Sequence, residues 1–163
     1  MNFLAHLEVA RRCWGDDSAL WLGAMLPDLI SVTALRIGPL EQWPAPVATG
    51  IACHRRADEA FHALPRFVQG TAGIREDLMA GGWPRGPARA AAHVSWELLL
   101  DGTLVDTAGT RHAYATALAT PAARWTPASP DGEADPWVDV VRRYREHGLP
   151  PTFDVATTAQ RVV

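Results

Sequence analysis

Apolar residues in this chain recur at steps of three and four positions, and no stretch alternates strictly between apolar and polar residues over the length of a β-strand. This periodicity is typical of amphipathic α-helices. Together with cap and turn residues, it predicts an all-α bundle of about seven helices, over residues 3–13, 19–32, 47–63, 66–80, 88–104, 111–119 and 136–146. The tail up to residue 163 is compatible with one more short helix.

Residues with strong local preferences set the expected helix starts. Asn2 is placed to cap the first helix, because its side chain can accept a hydrogen bond from the first free backbone N–H groups. The second helix has three candidate caps, which are Asp16, Asp17 and Ser18.

Glycine and proline indicate where helices weaken or end. Gly23 and Pro27 are expected to weaken or kink the second helix. The pair Gly81–Gly82 predicts a left-handed stop after the fourth helix. Residues 126–132 are rich in Pro, Ser and Gly and predict a mobile surface loop.

Composition restricts the kind of protein. Of the 163 residues, 48% are hydrophobic and 20% charged, which suits one globular domain over residues 1–163. No apolar run approaches the roughly 20 residues that cross a bilayer, and the first residues lack the basic segment of a secretory signal. We therefore expect a cytoplasmic protein without a membrane partner. The two cysteines, Cys13 and Cys53, match no metal or disulfide pattern and are expected to be buried free thiols. A formal net charge of -3 argues against nucleic-acid binding.

Histidines and carboxylates coincide on two of the predicted helices at a spacing of four residues. The two ladders are His54, Asp58 and His62 on the third helix, and His93, Glu97 and Asp101 on the fifth. Residues four apart project from the same face of a helix. Each face therefore alternates imidazole nitrogen with carboxylate oxygen, which suits a metal ion or the residues that support its ligands.

His6 on the first helix and Asp28 after Pro27 extend the candidate set. A purely structural interpretation is open at each place. His6 could be an ordinary core or surface histidine, Asp28 a turn or cap residue, and Asp101 part of a helix end, while the ladders could be exposed polar stripes. Four separate segments that each offer His or Asp at a helix face favour one shared site.

Three segments stand in an order and at a spacing that resemble the acyl carrier protein phosphodiesterase family. They are MNFLAH at 1–6, GAMLPD at 23–28 and GIACHRRAD at 50–58, followed by Pro65. The resemblance implies an all-helical fold related to the HD-domain metal-dependent phosphohydrolases and a divalent ion that is typically manganese. It also implies hydrolysis of the phosphodiester that joins 4'-phosphopantetheine to a serine of acyl carrier protein.

The resemblance further implies a set of residues at the metal or catalytic centre, namely His6, Asp28, His54 and Asp58. Some positions depart from the family's usual pattern. His62 stands where an aspartate is usual, Leu64 replaces a histidine, and a helix with the pattern Asp-x-x-x-Asp-His begins here with His93 and continues with Glu97 and Leu98. Replacement of carboxylate by imidazole shifts the expected metal preference toward iron or zinc.

The leading hypothesis is a metal-dependent phosphodiesterase-like hydrolase of a phosphoester or related small-molecule substrate. Manganese, iron or zinc would be held by His6, Asp28, His54, His62 and His93. Asp58 and Glu97 are expected as further ligands or bases, and Arg55 or Arg56 would clamp a phosphate oxygen.

Two other classes of function stay open. An HD-domain-type iron oxygenase or lyase would share the same ligands, and a non-catalytic helical binding protein would use the polar clusters structurally. If acyl carrier protein is the partner, a basic patch should meet that acidic protein. The candidate patches, each of which could also be an ordinary solvated face, are Arg85 with Arg89, and Arg142 with Arg143 and Arg145.

Overall fold

The computed structural model describes residues 2–31, 33–104, 109–127 and 136–149, and within these ranges the chain is all-α, as predicted. Two short 3₁₀ segments accompany seven α-helices, which are α1 (Phe3–Trp14), α2 (Ser18–Leu29), α3 (Ala45–His62), α4 (Pro65–Ala80), α5 (Arg85–Leu104), α6 (Thr110–Leu118) and α7 (Pro136–His147). The second helix ends at Leu29 rather than near residue 32. The expected tail helix, and residues 128–132 of the expected loop, lie outside the described residues.

The helix ends follow local chemistry. Asn2 caps α1 by accepting a hydrogen bond from the N–H of Phe3 at 2.9 Å. Among the three candidate caps of α2, Asp17 takes the role and accepts from the N–H of Ala19 at 2.8 Å. After α4, Gly82 has a φ of 91°, so the left-handed conformation falls on the second glycine of the pair. These side chains and that glycine satisfy or redirect backbone groups that a helix end leaves free.

The helix α2 lies at the centre of the core. Every residue from Ala19 to Leu26 is buried, so this helix has no polar face. It contacts α1, α3, α6 and α7. Pro27 lies inside the helix without ending it, and Asp28 follows in the last turn. No helix in the described part of the chain combines the length and the apolar character that crossing a membrane requires.

Two glycines let α2 and α3 approach closely. A Cβ at Gly23 would overlap the backbone of Val47, and a Cβ at Gly50 would overlap the carbonyl of Leu20. Gly23 was expected to weaken α2, but the structure shows that it permits backbone contact between two helices. This contact brings the carbonyl of Ala24 within reach of α3.

Asp101 ties α5 to the start of α1. Its carboxylate accepts hydrogen bonds from the N–H groups of Leu4 at 3.2 Å and Ala5 at 3.0 Å, and the residue is fully buried. Two N–H groups of the first turn are thereby satisfied by a side chain nearly one hundred residues away. The ladder on α5 therefore has two roles, because Asp101 supports the start of α1 while Glu97 contacts His62 and His93.

The helices α4 and α5 pack on each other and position α5 opposite the end of α3. A Cβ at Gly70 would overlap the indole of Trp96, which shows how closely the two helices meet. Phe67 is the buried side chain of α4. Its ring lies 4.8 Å from that of His62 on α3 and 5.3 Å from that of His93 on α5, measured between centroids.

The two cysteines differ in their surroundings. Cys53 is a buried free thiol, as predicted, but Cys13 is exposed, so that prediction was wrong. Cys13 lies in the last turn of α1, where Arg12 and Trp14 are exposed as well. Burial along α1 ends at Ala10, because the last turn extends past the helices on which α1 packs.

Candidate metal centre

The structure brings seven of the candidate residues into one continuous network of contacts. Each contact in this network joins two side chains no more than 4.0 Å apart. The pairs are His6–Asp28, His6–Asp58, His54–Asp28, Asp58–His62, His62–Glu97 and His93–Glu97. Four helices contribute, namely α1, α2, α3 and α5. Within this network, two sets of three residues have ligand atoms that lie close enough together to hold a metal ion.

The first set, called here the buried group, consists of His6, Asp28 and His54. The Nε2 atom of His6 lies 3.8 Å from Oδ2 of Asp28, and Nε2 of His54 lies 4.0 Å from Oδ1 of the same carboxylate. Both rings are buried, and they stack with their centroids 3.7 Å apart. One carboxylate thus lies between two imidazoles in the interior.

His54 has a defined proton arrangement. Its Nδ1 atom lies 3.0 Å from the carbonyl oxygen of Ala24, which can only accept, so Nδ1 carries the hydrogen. The other nitrogen, Nε2, then presents a lone pair toward Asp28. Burial lowers the pKa of His54 to about 4, with a further contribution from His6, so the ring is neutral at neutral pH. A histidine that donates one N–H to a backbone carbonyl and keeps the other nitrogen free is typical of metal ligands.

Asp28 is the least compensated member of the buried group. Its Oδ2 atom is buried and makes no hydrogen bond with the described residues. Burial raises the pKa of Asp28 to about 8, and the nearby charges of Glu97, Asp101 and Asp58 raise it too. A bound cation would favour the ionised carboxylate and compensate its burial. The donor atoms and this buried oxygen therefore fit a divalent ion.

The second set, called here the outer group, consists of His62, His93 and Glu97. One oxygen of Glu97, Oε1, lies 3.1 Å from Nε2 of His62 and 3.0 Å from Nε2 of His93. The side chains of His62 and His93 are 31% and 43% exposed, so this group opens to solvent. Burial raises the pKa of Glu97, but the neighbouring cationic groups, first the amino terminus and then His62 and His93, lower it more, so the carboxylate is ionised at neutral pH.

Asp58 joins the two groups. Its Oδ1 atom lies 3.7 Å from Nε2 of His6, and its Oδ2 atom lies 3.2 Å from Nδ1 of His62. Burial raises the pKa of Asp58, but contact with His6, followed by the amino terminus and His62, lowers it by more, to below its ordinary range. An ionised carboxylate therefore lies between the buried imidazoles and the solvent-facing ones.

The arginine predictions have different outcomes. Arg55 and Arg56 are exposed on α3 directly after His54, and their roles stay predictions. Arg142 donates hydrogen bonds to Asp139 and Glu146 on its own helix, so much of its charge is paired within α7.

Phe67 escaped the sequence analysis, and the structure shows that it packs against the outer group's rings. Asp101 was considered either as part of its ladder or as part of a helix end. The structure places it at a helix end, at the start of α1, which carries His6. Phe67 had no signal beyond being apolar.

Comparison with known proteins bears on the first half of the chain. Residues 1–80 match the model of a family described as acyl carrier protein phosphodiesterase. This match confirms the family resemblance of the three segments. The matched region contains the buried group, Asp58 and His62, and it ends before α5. No curated protein and no solved structure matches the chain.

Proposed function

We propose that this protein is a metal-dependent phosphodiesterase, a proposal supported by the match of residues 1–80 to the acyl carrier protein phosphodiesterase family. The observation that carries the proposal is the buried group, in which two imidazoles converge on a carboxylate whose Oδ2 atom is buried and makes no hydrogen bond with the described residues. The substrate is a phosphodiester of the kind that links 4'-phosphopantetheine to a carrier protein. The family's printed name supports that substrate class.

The residues proposed to hold the ion are His6, Asp28, His54 and Asp58. They offer two nitrogen and two carboxylate donors, a mixture that suits manganese, iron or zinc. A divalent ion there supplies activation of a water molecule and neutralisation of charge on the phosphoryl oxygens.

The protein's own side chains perform the remaining tasks. The Nδ1–H of His54 donates to the carbonyl of Ala24 and thereby fixes which nitrogen faces Asp28. The ionised carboxylate of Asp58 keeps negative charge next to His6. Arg55, one residue after His54 and exposed, is proposed to bind a non-bridging phosphate oxygen, because a guanidinium matches phosphate with two parallel hydrogen bonds.

Phosphodiester hydrolysis with defined metals tests the proposal. Protein stripped with chelator and reloaded with Mn²⁺, Fe²⁺ or Zn²⁺ is assayed with bis(p-nitrophenyl) phosphate and with a 4'-phosphopantetheinylated carrier protein. We expect metal-dependent hydrolysis that falls in His54→Ala by more than the roughly 10–100-fold typical of losing a residue that supports a ligand. His112→Ala is the matched control, since His112 is exposed on α6. A folded His54→Ala protein with full activity would show that the buried group is not the catalytic centre.

A second candidate function has one observation in its favour. The outer group offers two imidazoles and one carboxylate, the donor set typical of non-haem iron oxygenases. Oxygen consumption by Fe²⁺-loaded protein in the presence of the phosphodiester, without release of a hydrolysis product, would support that function over hydrolysis.

A further inference from the structure

We infer that the outer group, His62, His93 and Glu97, binds a divalent transition-metal ion of its own, in addition to the ion proposed for the buried group. The inference deepens the proposed function and rests on it for the first ion only. The outer group's geometry supports the second ion independently.

The spacing of the outer donors matches that of ligands around one ion. Two ligand atoms that each lie about 2.1 Å from an ion, at tetrahedral or octahedral angles, are ~3.0–3.4 Å apart. Oε1 of Glu97 lies 3.1 Å from Nε2 of His62 and 3.0 Å from Nε2 of His93. The corresponding separations in the buried group are wider, at 3.8 and 4.0 Å. By this measure the outer group is the closer of the two to ligand spacing.

The ring of His62 has the support that a metal ligand requires. Its Nδ1 atom lies 3.2 Å from Oδ2 of Asp58, and its Nε2 atom lies 3.1 Å from Oε1 of Glu97. With an ion at Nε2, the hydrogen of the ring would be on Nδ1, where Asp58 is placed to accept it. A carboxylate that accepts from one nitrogen of a ligating histidine fixes the ring and strengthens the ligand. His54 uses the carbonyl of Ala24 for the same purpose.

Packing holds the two rings of the outer group in place. The rings of His62 and His93 have centroids 4.8 Å apart, and Phe67 packs against both. Glu97 and His93 are four residues apart on α5, so one helical face presents both donors. Donors from α3 and α5 thus converge beside the apolar ring of Phe67 on α4.

The competing interpretation is a structural cluster in which both rings donate an N–H to Glu97. Such partly exposed contacts contribute little to stability. The two interpretations make different predictions for added metal. At a metal site, a bound cation displaces those hydrogens, whereas a purely structural cluster binds no added cation.

The donor set indicates the class of ion. Two imidazoles with one carboxylate favour zinc, cobalt or iron over magnesium. Three protein ligands would leave room for a further ligand on an ion, and the His93 side chain is 43% exposed to solvent. A phosphate oxygen or a water molecule can therefore reach the outer group.

Metal stoichiometry tests the inference without relying on activity. Chelator-treated protein is loaded with Zn²⁺ or Co²⁺, dialysed and analysed for metal per chain, with the visible absorbance of Co²⁺ as a second readout. The variants compared are wild type, His54→Ala, the double variant His62→Ala/His93→Ala, Glu97→Gln and the control His112→Ala. Circular dichroism verifies that each variant is folded, and Glu97→Gln preserves side-chain shape if the double variant fails to fold.

We expect two equivalents in wild type and in His112→Ala, and one fewer in His54→Ala, in Glu97→Gln and in the double variant. If Glu97→Gln and the double variant keep the wild-type stoichiometry while His54→Ala loses metal, the inference is overturned and the proposed function stands. If metal is lost from the outer-group variants but not from His54→Ala, the outer ion is supported and the proposed function fails.

Discussion

The imidazole rings of His6 and His54 stack with their centroids 3.7 Å apart and their planes 28° from parallel. Both rings are buried, and each faces one oxygen of Asp28. Two protonated rings at this separation would repel strongly, and burial lowers the pKa of His54 to about 4. His54 therefore presents a neutral nitrogen to the carboxylate at neutral pH, the form in which histidine binds metal.

Asp28→Asn should change how the stability of the metal-free protein depends on pH. Burial raises the pKa of Asp28 from its ordinary value of 3.8 to about 8. Between about pH 4 and pH 8, Asp28 is therefore protonated in the folded protein but ionised in the unfolded chain. The stability contributed by this group is thus present below about pH 4 and is lost as the pH rises through 8. Relative to wild type, we expect the variant to gain about 1 kcal/mol or more between pH 5 and pH 8, since one pKa unit corresponds to about 1.4 kcal/mol.

Urea denaturation in the presence of chelator measures this effect. With metal added, wild type should become the more stable of the two proteins, because the ion stabilises it by binding the ionised Asp28. An equal difference between the two proteins at both pH values would contradict the account.

Asp58→Asn should weaken metal binding at both groups. One oxygen of Asp58 lies 3.7 Å from Nε2 of His6 and the other lies 3.2 Å from Nδ1 of His62, so an amide removes negative charge from beside both groups. We expect a roughly 10–100-fold loss of affinity at each group, measured by calorimetric titration with Zn²⁺. Glu59→Gln, at the exposed neighbouring position on α3, is the control and should bind as wild type does. Unchanged zinc affinity in Asp58→Asn would show that Asp58 contributes to metal binding at neither group.

Gly23→Ala should destabilise the fold through the contact between α2 and α3. The added methyl group would overlap the backbone of Val47, which cannot move aside as a flexible side chain can. We expect a loss of about 2–3 kcal/mol in the free energy of unfolding, typical of an overpacked core. Gly73→Ala is the matched control, because a Cβ there meets no atom and α4 should gain about 0.5–1 kcal/mol. Equal effects of the two substitutions would rule out the backbone contact.

Asp101→Ala should destabilise the start of α1. The substitution leaves the N–H groups of Leu4 and Ala5 buried without their acceptor, which should cost about 2–4 kcal/mol. Asp101→Asn keeps one acceptor oxygen and should lose less. The exposed Asp77 provides a control, as Asp77→Asn should leave the chemical denaturation midpoint unchanged. If Asp101→Ala unfolds at the wild-type midpoint, the carboxylate does not support α1.

Local pattern predicted most of the secondary structure. Helix spans follow from apolar spacing and from caps such as Asn2, which act over a few residues and can be read directly from the chain. The ladder on α3 was predicted for the same reason, since positions four apart share a face in any α-helix. The site residues on α1 and α2 were identified from the family resemblance and from their residue types.

The helices, and the faces on which the histidines and carboxylates lie, could be predicted from the sequence because both depend on backbone periodicity and neighbouring residues. How these faces meet depends on the tertiary packing of the helices. This packing divided the candidates into a buried and an outer group joined by Asp58, assigned Asp101 to a helix end, and made Gly23 a contact point. Such outcomes depend on distances between residues far apart in the chain, which are fixed by the way the helices pack and not by any local preference.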